Sequence, residues 1–345
     1  MTDILDVAKK AGVSKSTVSR VLNDGYVSED TRRKVEQVMK ELEYTPSSFA
    51  QKIRTHRTRE VAMMIPDPTN TFYMEVFRAV EDVMLANDYM VILCDSKRRT
   101  ENELKYADKL KQRNTDGLLY FTQQRVRENE LFFRKFSETT PTVFMDFAFS
   151  DIEGISCVAV EGGSISADAV RYLYRTGRKH IAYINLPKSD NVTLSRCEGY
   201  KEGLQACGLA VLPERIILPD ESRRRTLIEV GYRAAEKLLE RSPDIDAIMT
   251  ASDHLAVGAV RFLRERHVRI PEEISVIGFD DINLCEVVHP TLTTVRQPIR
   301  EMGVAAAEHL LKMIREEEEA GKKILYQGQL IPRESTLPEK EKEKE

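Results

Sequence analysis

The chain has 345 residues, enough for two or three domains, with 31% charged and 41% hydrophobic residues. No apolar run approaches the roughly 20 residues of a membrane span, and no signal-peptide core follows Asp3, so we expect a cytoplasmic protein without membrane contact. The five cysteines, an odd number without a CxxC pair, indicate reduced thiols and no metal site. The first 60 residues hold 12 Lys and Arg against 9 Asp and Glu, whereas the remainder holds 40 against 47. This asymmetry restricts any nucleic-acid binding to the N-terminal segment.

Two short helices around a tight turn are predicted at the N-terminus. Apolar residues at helical spacing from Ile4 to Ala11 predict the first helix. Gly12 suits a left-handed turn position, and Ser14 is a good N-cap for a second helix whose apolar face includes Val18. This pattern predicts a helix-turn-helix, the element with which many proteins enter the major groove of DNA. An ordinary helical hairpin with polar residues facing water is the alternative.

The second helix presents a polar, positively charged side. The N-terminal residues of such a recognition helix contact base edges, so we expect Lys15 and Ser16 to specify sequence, with Arg20 one turn further along. A third helix capped by Ser28 completes a headpiece over residues 1–45. The hydroxyl groups that suit phosphate contacts belong to Ser14, Thr17 and Ser19.

A basic segment follows the third helix. From Thr45 to Arg59 the sequence contains no acidic residue, which is typical of a linker that orders on the phosphate backbone. We therefore predict a hinge helix and linker over residues 46–60. Ala50 and Ile53 lie three residues apart on one side of this short helix, where an apolar side chain can wedge between base pairs in the minor groove. A solvated basic linker is the alternative.

Several motifs occur together along the chain. They are Asp6-Val7-Ala8, Gly12-Val13-Ser14, Thr17-Val18-Ser19-Arg20-Val21, Asn23, Val27-Ser28, Thr31-Arg32, Tyr44-Thr45-Pro46, Gly278-Phe279-Asp280-Asp281, Pro290-Thr291-Leu292-Thr293-Thr294 and Ile331-Pro332-Arg333. This set resembles the lactose-repressor/galactose-repressor (LacI/GalR) family of bacterial transcription regulators. The resemblance implies a ligand-responsive repressor that binds a pseudo-palindromic operator as a homodimer. It makes Lys15 and Ser16 the specificity positions, with Arg20 supporting base or phosphate contact, and places Ile53 where the family inserts a leucine at the operator centre. Asn23 is a further predicted DNA-binding residue.

Beyond residue 60 short apolar runs alternate with helical patterns. Continuous apolar strands between helices imply parallel sheets covered on both faces, so the predicted fold class is α/β. Two such series imply a two-lobed sensor that resembles the periplasmic sugar-binding fold and forms an effector-binding and dimerisation domain over residues 61–338. We expect an N-lobe of 61–156 and 292–322, a C-lobe of 157–291 and 323–338, and a disordered tail over 339–345. The predicted strands are Val61–Ile65, Met90–Cys94, Gly117–Phe121, Thr142–Met145, Ile155–Val160, Ile181–Ile184, Ile216–Leu218, Ala247–Thr250 and Val276–Phe279.

Candidate effector residues follow the strands. Ligands of open α/β sheets bind at the carboxyl ends of strands, and between two lobes these ends define a cleft. Asp146, Arg196 and Asp280 could bind vicinal hydroxyls by charge-assisted hydrogen bonds, and the aromatic rings of Phe72 and Tyr73 could stack on a ligand. The resemblance aligns these five residues with effector contacts of the family. Each also has a structural alternative, such as capping a helix. The remaining candidates are Asn70, Ser252 and Asp253.

The expected partners are operator DNA, a second copy of the chain and a small carbohydrate-like effector, without a cofactor. We expect no catalysis, because the sequence lacks G-x-S-x-G, P-loop and G-x-G-x-x-G motifs. Two other functions stay open: control by a phosphorylated carrier protein docking on the N-lobe, and a solute-binding protein without DNA function. An acidic ligand attracted by Arg223-Arg224-Arg225 is an alternative to a neutral sugar.

Overall fold

The structure is a computed structural model that describes residues 3–22, 25–44, 57–121, 127–145, 153–186, 191–219 and 226–338. The chain divides into two compact units, Met1–Thr58 and Arg59–Glu345. Four predicted site residues lie outside the described residues, as do the arginine run at 223–225 and the predicted tail. These four are Asn23, Ala50, Ile53 and Asp146.

The N-terminal unit contains the predicted three-helix headpiece, with α1 at Ile4–Ala11, α2 at Lys15–Val21 and α3 at Glu29–Glu41. Asp3, Ser14 and Ser28 cap the three helices through their side-chain oxygens, which accept hydrogen bonds from backbone amides of the first turn. The three helices share one small apolar core, because each presents a narrow apolar stripe that only its neighbours can cover. The core side chains are those of Val7, Ala8, Ala11, Val18, Val21, Val35 and Val38.

The second unit alternates strands with helices. Its strands are β1 Glu60–Ile65, β2 Met90–Asp95, β3 Gly117–Phe121, β4 Thr142–Met145, β5 Ser156–Val160, β6 Ile181–Ile184, β7 Ile216–Ile217, β8 Ala247–Thr250, β9 Ser275–Ile277, β10 Thr294–Arg296, β11 Lys323–Tyr326 and β12 Gln329–Ile331. Its helices are α4 Thr71–Leu85, α5 Thr100–Arg113, α6 Arg127–Ser137, α7 Gly162–Arg175, α8 Asn191–Ala206, α9 Leu227–Arg241, α10 Asp253–Glu265, α11 Leu284–Val287 and α12 Ile299–Ile314.

These strands form two parallel sheets, one in each lobe. The N-lobe sheet has six strands in the order β11-β5-β4-β3-β1-β2, and the C-lobe sheet has four in the order β7-β6-β8-β9. A short antiparallel pair, β10 with β12, lies beside β9 and is linked to it by bridges from Ile277 to Thr293 and from Asp280 to Arg296. All nine predicted strands are present, and parallel pairing directs the carboxyl ends within each sheet to one edge.

The strand pairing differs from the predicted lobe boundaries by about one strand. The boundary expected after residue 156 falls after β5, because residues 156–160 pair with β4 in the N-lobe sheet. The boundary expected before residue 323 falls after β11, which pairs with β5. The boundary expected at 291 falls after β10, which pairs with β12 beside the C-lobe sheet. Sequence patterns predicted the strands, but only tertiary pairing decides which sheet a strand joins.

None of the five cysteines, all of which lie within the described residues, forms a disulfide, and all except Cys207 are buried. Among the described residues, no group of three or more His, Cys, Asp or Glu side chains is arranged to hold a metal ion. Searching the same part of the chain finds no helix with the length and apolar character needed to span a bilayer.

Candidate functional site

The turn that leads into α2 is fixed by local hydrogen bonds. Gly12 adopts φ +65°, and its amide donates to the carbonyls of Ala8 and Lys9 at the end of α1. The Ser14 hydroxyl accepts a hydrogen bond from the Thr17 amide at 3.1 Å. The predicted turn and cap are therefore both confirmed, and together they set the angle at which α2 leaves α1.

One side of α2 is polar and accessible. Val18 packs into the headpiece core, whereas Lys15, Ser16 and Arg20 are exposed. Thr17 and Ser19 are half-buried at the edge of this surface. The first turn of α2 contains no acidic residue, so its exposed cation is not neutralised within the helix. Exposed Lys and Arg beside hydroxyl groups suit contacts with base edges and phosphates.

A second set of predicted residues meets at the carboxyl edge of the C-lobe sheet. Arg196, on α8, donates a hydrogen bond from Nη1 to the carbonyl of Ala251 at 2.7 Å, directly after β8. The same Nη1 lies 3.6 Å from Oδ1 of Asp280, which follows β9. The guanidinium stacks on Phe279, with Cζ 3.7 Å from the ring centroid. Arg196 and Asp280, two of the predicted effector residues, thus lie together and form a buried ion pair.

The helix that carries Arg196 approaches α7 very closely. A Cβ atom at Gly199 would lie 2.0 Å from the carbonyl oxygen of Gly163, and a Cβ atom at Gly162 would lie 3.0 Å from Cγ of Arg196. At position 199 only glycine allows this approach, because any side chain would overlap the backbone of α7. At position 162 a side chain would press on the side chain of Arg196. The glycines therefore determine where the guanidinium of Arg196 lies.

Asp280 is held by a second side chain. Nε2 of Gln297 donates to Oδ1 of Asp280 at 2.7 Å, and the Asp280 amide donates to the carbonyl of Val295 at 2.9 Å. Asp280 has φ +118°, a conformation that disfavours residues other than glycine. Its neighbours compensate for this strain and fix the carboxylate at the mouth of the sheet edge.

Ser252 and Asp253 are adjacent in sequence but differ in environment. The Asp253 carboxylate is fully buried and accepts hydrogen bonds from the Ile282 amide at 3.0 Å and the Thr294 hydroxyl at 2.5 Å. Burial raises the pKa of the Asp253 carboxyl, and these two donors partly oppose that shift. Asp253 thus braces the loop after β9. Its predicted contact with an effector stays a prediction. The Ser252 hydroxyl is buried without a hydrogen-bond partner among the described residues.

In the N-lobe, the predicted residues follow β1 and begin α4. The side-chain oxygen of Asn70 accepts a hydrogen bond from the Phe72 amide at 3.0 Å and caps the helix. Phe72 and Tyr73 pack edge to face, with centroids 5.2 Å apart, and Tyr73 lies at the same distance from Phe121. These rings are almost fully buried, so the carboxyl edge of β1 and β3 is covered by aromatic carbon.

Charged residues of the N-lobe act on a histidine at the carboxyl edge of the C-lobe sheet. His254, in the first turn of α10, lies in the C-lobe, whereas Asp67 and Arg98 follow β1 and β2. Burial lowers the pKa of His254, the charge of Asp67 raises it and the charge of Arg98 lowers it. Asp67 and Arg98 form an ion pair of 3.4 Å, and their charges act on the pKa of His254 in opposite directions.

Buried polar atoms with unmet hydrogen-bonding capacity occur at the C-lobe edge. Arg196 Nε, Asn185 Nδ2, Ser252 Oγ and Gln297 Oε1 have no hydrogen-bond partner among the described residues. Such atoms are uncommon in folded proteins, where more than about nine-tenths of buried polar groups are paired. The set provides two donors, one acceptor and one hydroxyl that can act as either. It therefore matches a ligand that both donates and accepts hydrogen bonds.

Sequence reasoning missed three residues of this edge. Asn185 directly follows β6, so the rule that selected Ser252 could have identified it. Gln297 follows β10, a strand of three residues with no recognisable pattern. The sequence pattern predicts Phe279 as the last residue of a strand, whereas it lies beyond β9 and under the guanidinium of Arg196.

The family comparisons match both parts of the chain. Residues 3–47 match the model described as bacterial regulatory proteins, lacI family, and residues 170–336 match the periplasmic binding protein-like domain. The chain is 34% identical over 344 residues to the HTH-type transcriptional regulator RegA of Clostridium saccharobutylicum, covering 97% of this chain and 99% of that protein. It is 36% identical over 316 residues to the ribose operon repressor of Halalkalibacterium halodurans, covering 91% of each.

Solved structures show the same architecture. The complex of the transcriptional regulator CelR with cellobiose matches with a TM-score of 0.73 and 28% identity, covering 97% of this chain and all of that one. The Lac repressor dimer bound to operator and the anti-inducer ONPF matches with a TM-score of 0.87 and 24% identity, covering 98% and 99%. The second match supports the fold alone, and it extends through headpiece and both lobes.

Proposed function

Because this chain belongs to the lacI family of bacterial regulatory proteins, a family of DNA-binding transcription regulators, we propose that a neutral carbohydrate bound between its lobes controls its binding to DNA. The chain acts as a homodimeric repressor that binds operator DNA. In this proposal, each protomer presents α2 to one half-site of a pseudo-palindromic operator, and Lys15 and Ser16 contact base edges.

The set of unpaired polar atoms at the C-lobe edge carries the effector proposal. Arg196 Nε, Asn185 Nδ2, Ser252 Oγ and Gln297 Oε1 are buried, so leaving them unpaired costs free energy that a polyhydroxylated ligand would recover. Adjacent sugar hydroxyls supply donors and acceptors at the spacing that such side chains bind.

The charge at this edge favours an uncharged ligand. The cation of Arg196 is paired with the carboxylate of Asp280 in the C-lobe. In the N-lobe, Asp67 is paired with Arg98. A sugar acid or sugar phosphate would require an unpaired cation to offset its desolvation, whereas a neutral sugar would not. The names of two similar proteins, a ribose operon repressor and a regulator solved in complex with cellobiose, support a carbohydrate as the ligand class.

The effector proposal is tested by a thermal-shift screen with neutral sugars, sugar acids and sugar phosphates, followed by titration of the best ligand. Bound ligand raises the melting temperature by mass action. We expect neutral sugars to give the largest shift, and we expect Arg196→Ala and Ser252→Ala to reduce it. Arg261→Ala, which removes an exposed arginine paired with Glu265 at 2.9 Å, is the matched control. A wild-type shift in melting temperature for both edge variants would exclude this site. A shift only with anionic sugars would exclude neutral sugars as the ligand class.

The DNA contacts are tested with the full chain and a duplex that the wild type selects from random DNA. Lys15→Ala should weaken binding to the selected duplex by about 1–3 kcal/mol for each lost base contact and relax the sequence preference. Fluorescence anisotropy with the selected duplex and single-base variants measures both quantities. Unchanged discrimination between these duplexes would exclude Lys15 as a specificity residue.

A further inference from the structure

One aromatic side chain of the headpiece is almost fully exposed and has no assigned role. Tyr26, in the connection between α2 and α3, is 96% exposed. The next residue, Val27, packs against the headpiece core, and Ser28 has extended backbone angles of φ −63° and ψ 149° before it caps α3. Because neighbouring side chains of an extended segment point in opposite directions, Val27 in the core turns Tyr26 outward.

The backbone that carries Tyr26 is fixed. The Gly25 amide donates to the carbonyl of Arg20 at 2.8 Å, and Nη2 of Arg32 donates to the carbonyl of Gly25 at 3.1 Å. Nη1 of Arg32 reaches the carbonyl of Val21 at 3.4 Å, so one arginine ties the connection to the end of α2. The exposed phenol is therefore held on a defined backbone.

Tyr26 is also placed beside the predicted DNA-contacting surface. Gly25 packs directly against Arg20, since a Cβ atom at Gly25 would lie 3.3 Å from Cβ of Arg20. Arg20 is an exposed cation of the recognition helix. Tyr26, the residue after Gly25, consequently extends the predicted DNA-contacting surface of α2.

We propose that Tyr26 is a further DNA contact, and that its hydroxyl donates a hydrogen bond to a backbone phosphate at the edge of the half-site. Tyrosine is a common phosphate donor and combines an apolar ring with a polar tip, which suits a sugar-phosphate surface. The charge environment favours a neutral donor, because Glu29 and Asp30 follow in the first turn of α3. A lysine or arginine at position 26 would be attracted to these carboxylates, whereas the phenol is not.

The test uses the full-length protein, the duplex selected by the wild type and a scrambled duplex of the same composition. Affinity is measured by fluorescence anisotropy over a series of KCl concentrations for Tyr26→Phe, Tyr26→Ala and Arg20→Ala. Leu5→Ala is the control, since Leu5 is 55% exposed on α1 and belongs to no predicted contact. Circular dichroism verifies that each variant is folded, and Tyr26→Phe retains the ring and removes only the hydroxyl.

We expect Tyr26→Phe to weaken binding about tenfold for each headpiece, because a hydrogen bond to a charged group is lost. The loss should be equal on both duplexes, since a phosphate carries no sequence information. A neutral donor displaces no counterion, so the salt dependence should be unchanged, whereas Arg20→Ala should reduce the slope by about 1 for each lost phosphate contact. Wild-type affinity of Tyr26→Phe, a loss confined to the selected duplex, or an equal loss in Leu5→Ala would overturn the proposal.

Discussion

The headpiece and the carboxyl edge of the C-lobe sheet are built in opposite ways. On α2 the candidate residues Lys15, Ser16 and Arg20 are exposed on a helix whose other face forms the core. At the C-lobe edge, Arg196 and Asp280 are buried and already bonded to protein atoms. In the headpiece, residue type and helix face are enough to assign a role. At the edge, the role depends on which hydrogen bonds the protein leaves unmet.

Ser252 and Asp253 illustrate this difference within one region. Both follow β8, and both satisfy the rule that ligand-binding residues lie at strand ends. The protein satisfies the hydrogen bonds of the Asp253 carboxylate and leaves the Ser252 hydroxyl unpaired. Residue type alone would have favoured Asp253, because a carboxylate is the stronger ligand for a hydroxyl group.

The largest expected effect separates these two neighbours. Asp253→Ala leaves the Ile282 amide and the Thr294 hydroxyl buried without an acceptor. We expect this to reduce the free energy of unfolding by about 3 kcal/mol or more. Ser252→Ala removes a buried hydroxyl that has no hydrogen-bond partner among the described residues, and should change stability by less than about 0.5 kcal/mol. Urea unfolding followed by circular dichroism measures the free energy of unfolding of both variants. Equal losses would show that Asp253 and Ser252 do not differ in their structural role.

A smaller effect is expected where α7 and α8 cross. Gly199→Ala places a Cβ atom against the Gly163 carbonyl, so the helices must separate, at a cost of about 2 kcal/mol. The separation also displaces Arg196, one turn earlier on α8. Lys201→Ala is the control, because its ion pair with Glu198 is on the surface and contributes little. If Gly199→Ala melts like the wild type and binds sugars normally, the glycine contact does not position Arg196.

The smallest effect tests the headpiece. Ser14→Ala removes the N-cap of α2 and should destabilise that helix by about 1 kcal/mol, as Ser28→Ala should for α3. Because α2 is the proposed recognition helix, Ser14→Ala should weaken binding to the selected duplex more than Ser28→Ala. Hydrogen exchange at the Thr17 and Thr31 amides measures local stability, and anisotropy measures affinity. Equal losses of DNA affinity in the two variants would show that the cap of α2 has no special role in DNA recognition.

Short-range patterns predicted most of the fold correctly. The headpiece helices and the nine strands depend on apolar periodicity, caps and turn residues, which act over a few positions. The missed strands, β10 to β12, contain three or four residues each, and each includes a polar residue and a position that is not buried, so none forms a continuous apolar run. The sheet to which a strand at a lobe boundary belongs could not be predicted for a different reason. Ser156–Val160 has the same apolar character whichever sheet it joins, and the choice depends on pairing with distant β4 and β11.

The sequence by itself determined the helix-turn-helix, the alternation of strands and helices, and the identity of Arg196 and Asp280 as candidates. These features follow from local backbone preferences and from the rule that strand ends gather at one edge. Only the tertiary structure decided that the Asp253 carboxylate is buried and hydrogen-bonded, that Gln297 holds Asp280, and that Tyr26 is exposed directly after the glycine that packs on Arg20. Hydrogen-bond partners come from segments far apart in sequence, so whether a polar atom is satisfied or left available becomes evident only in the folded chain.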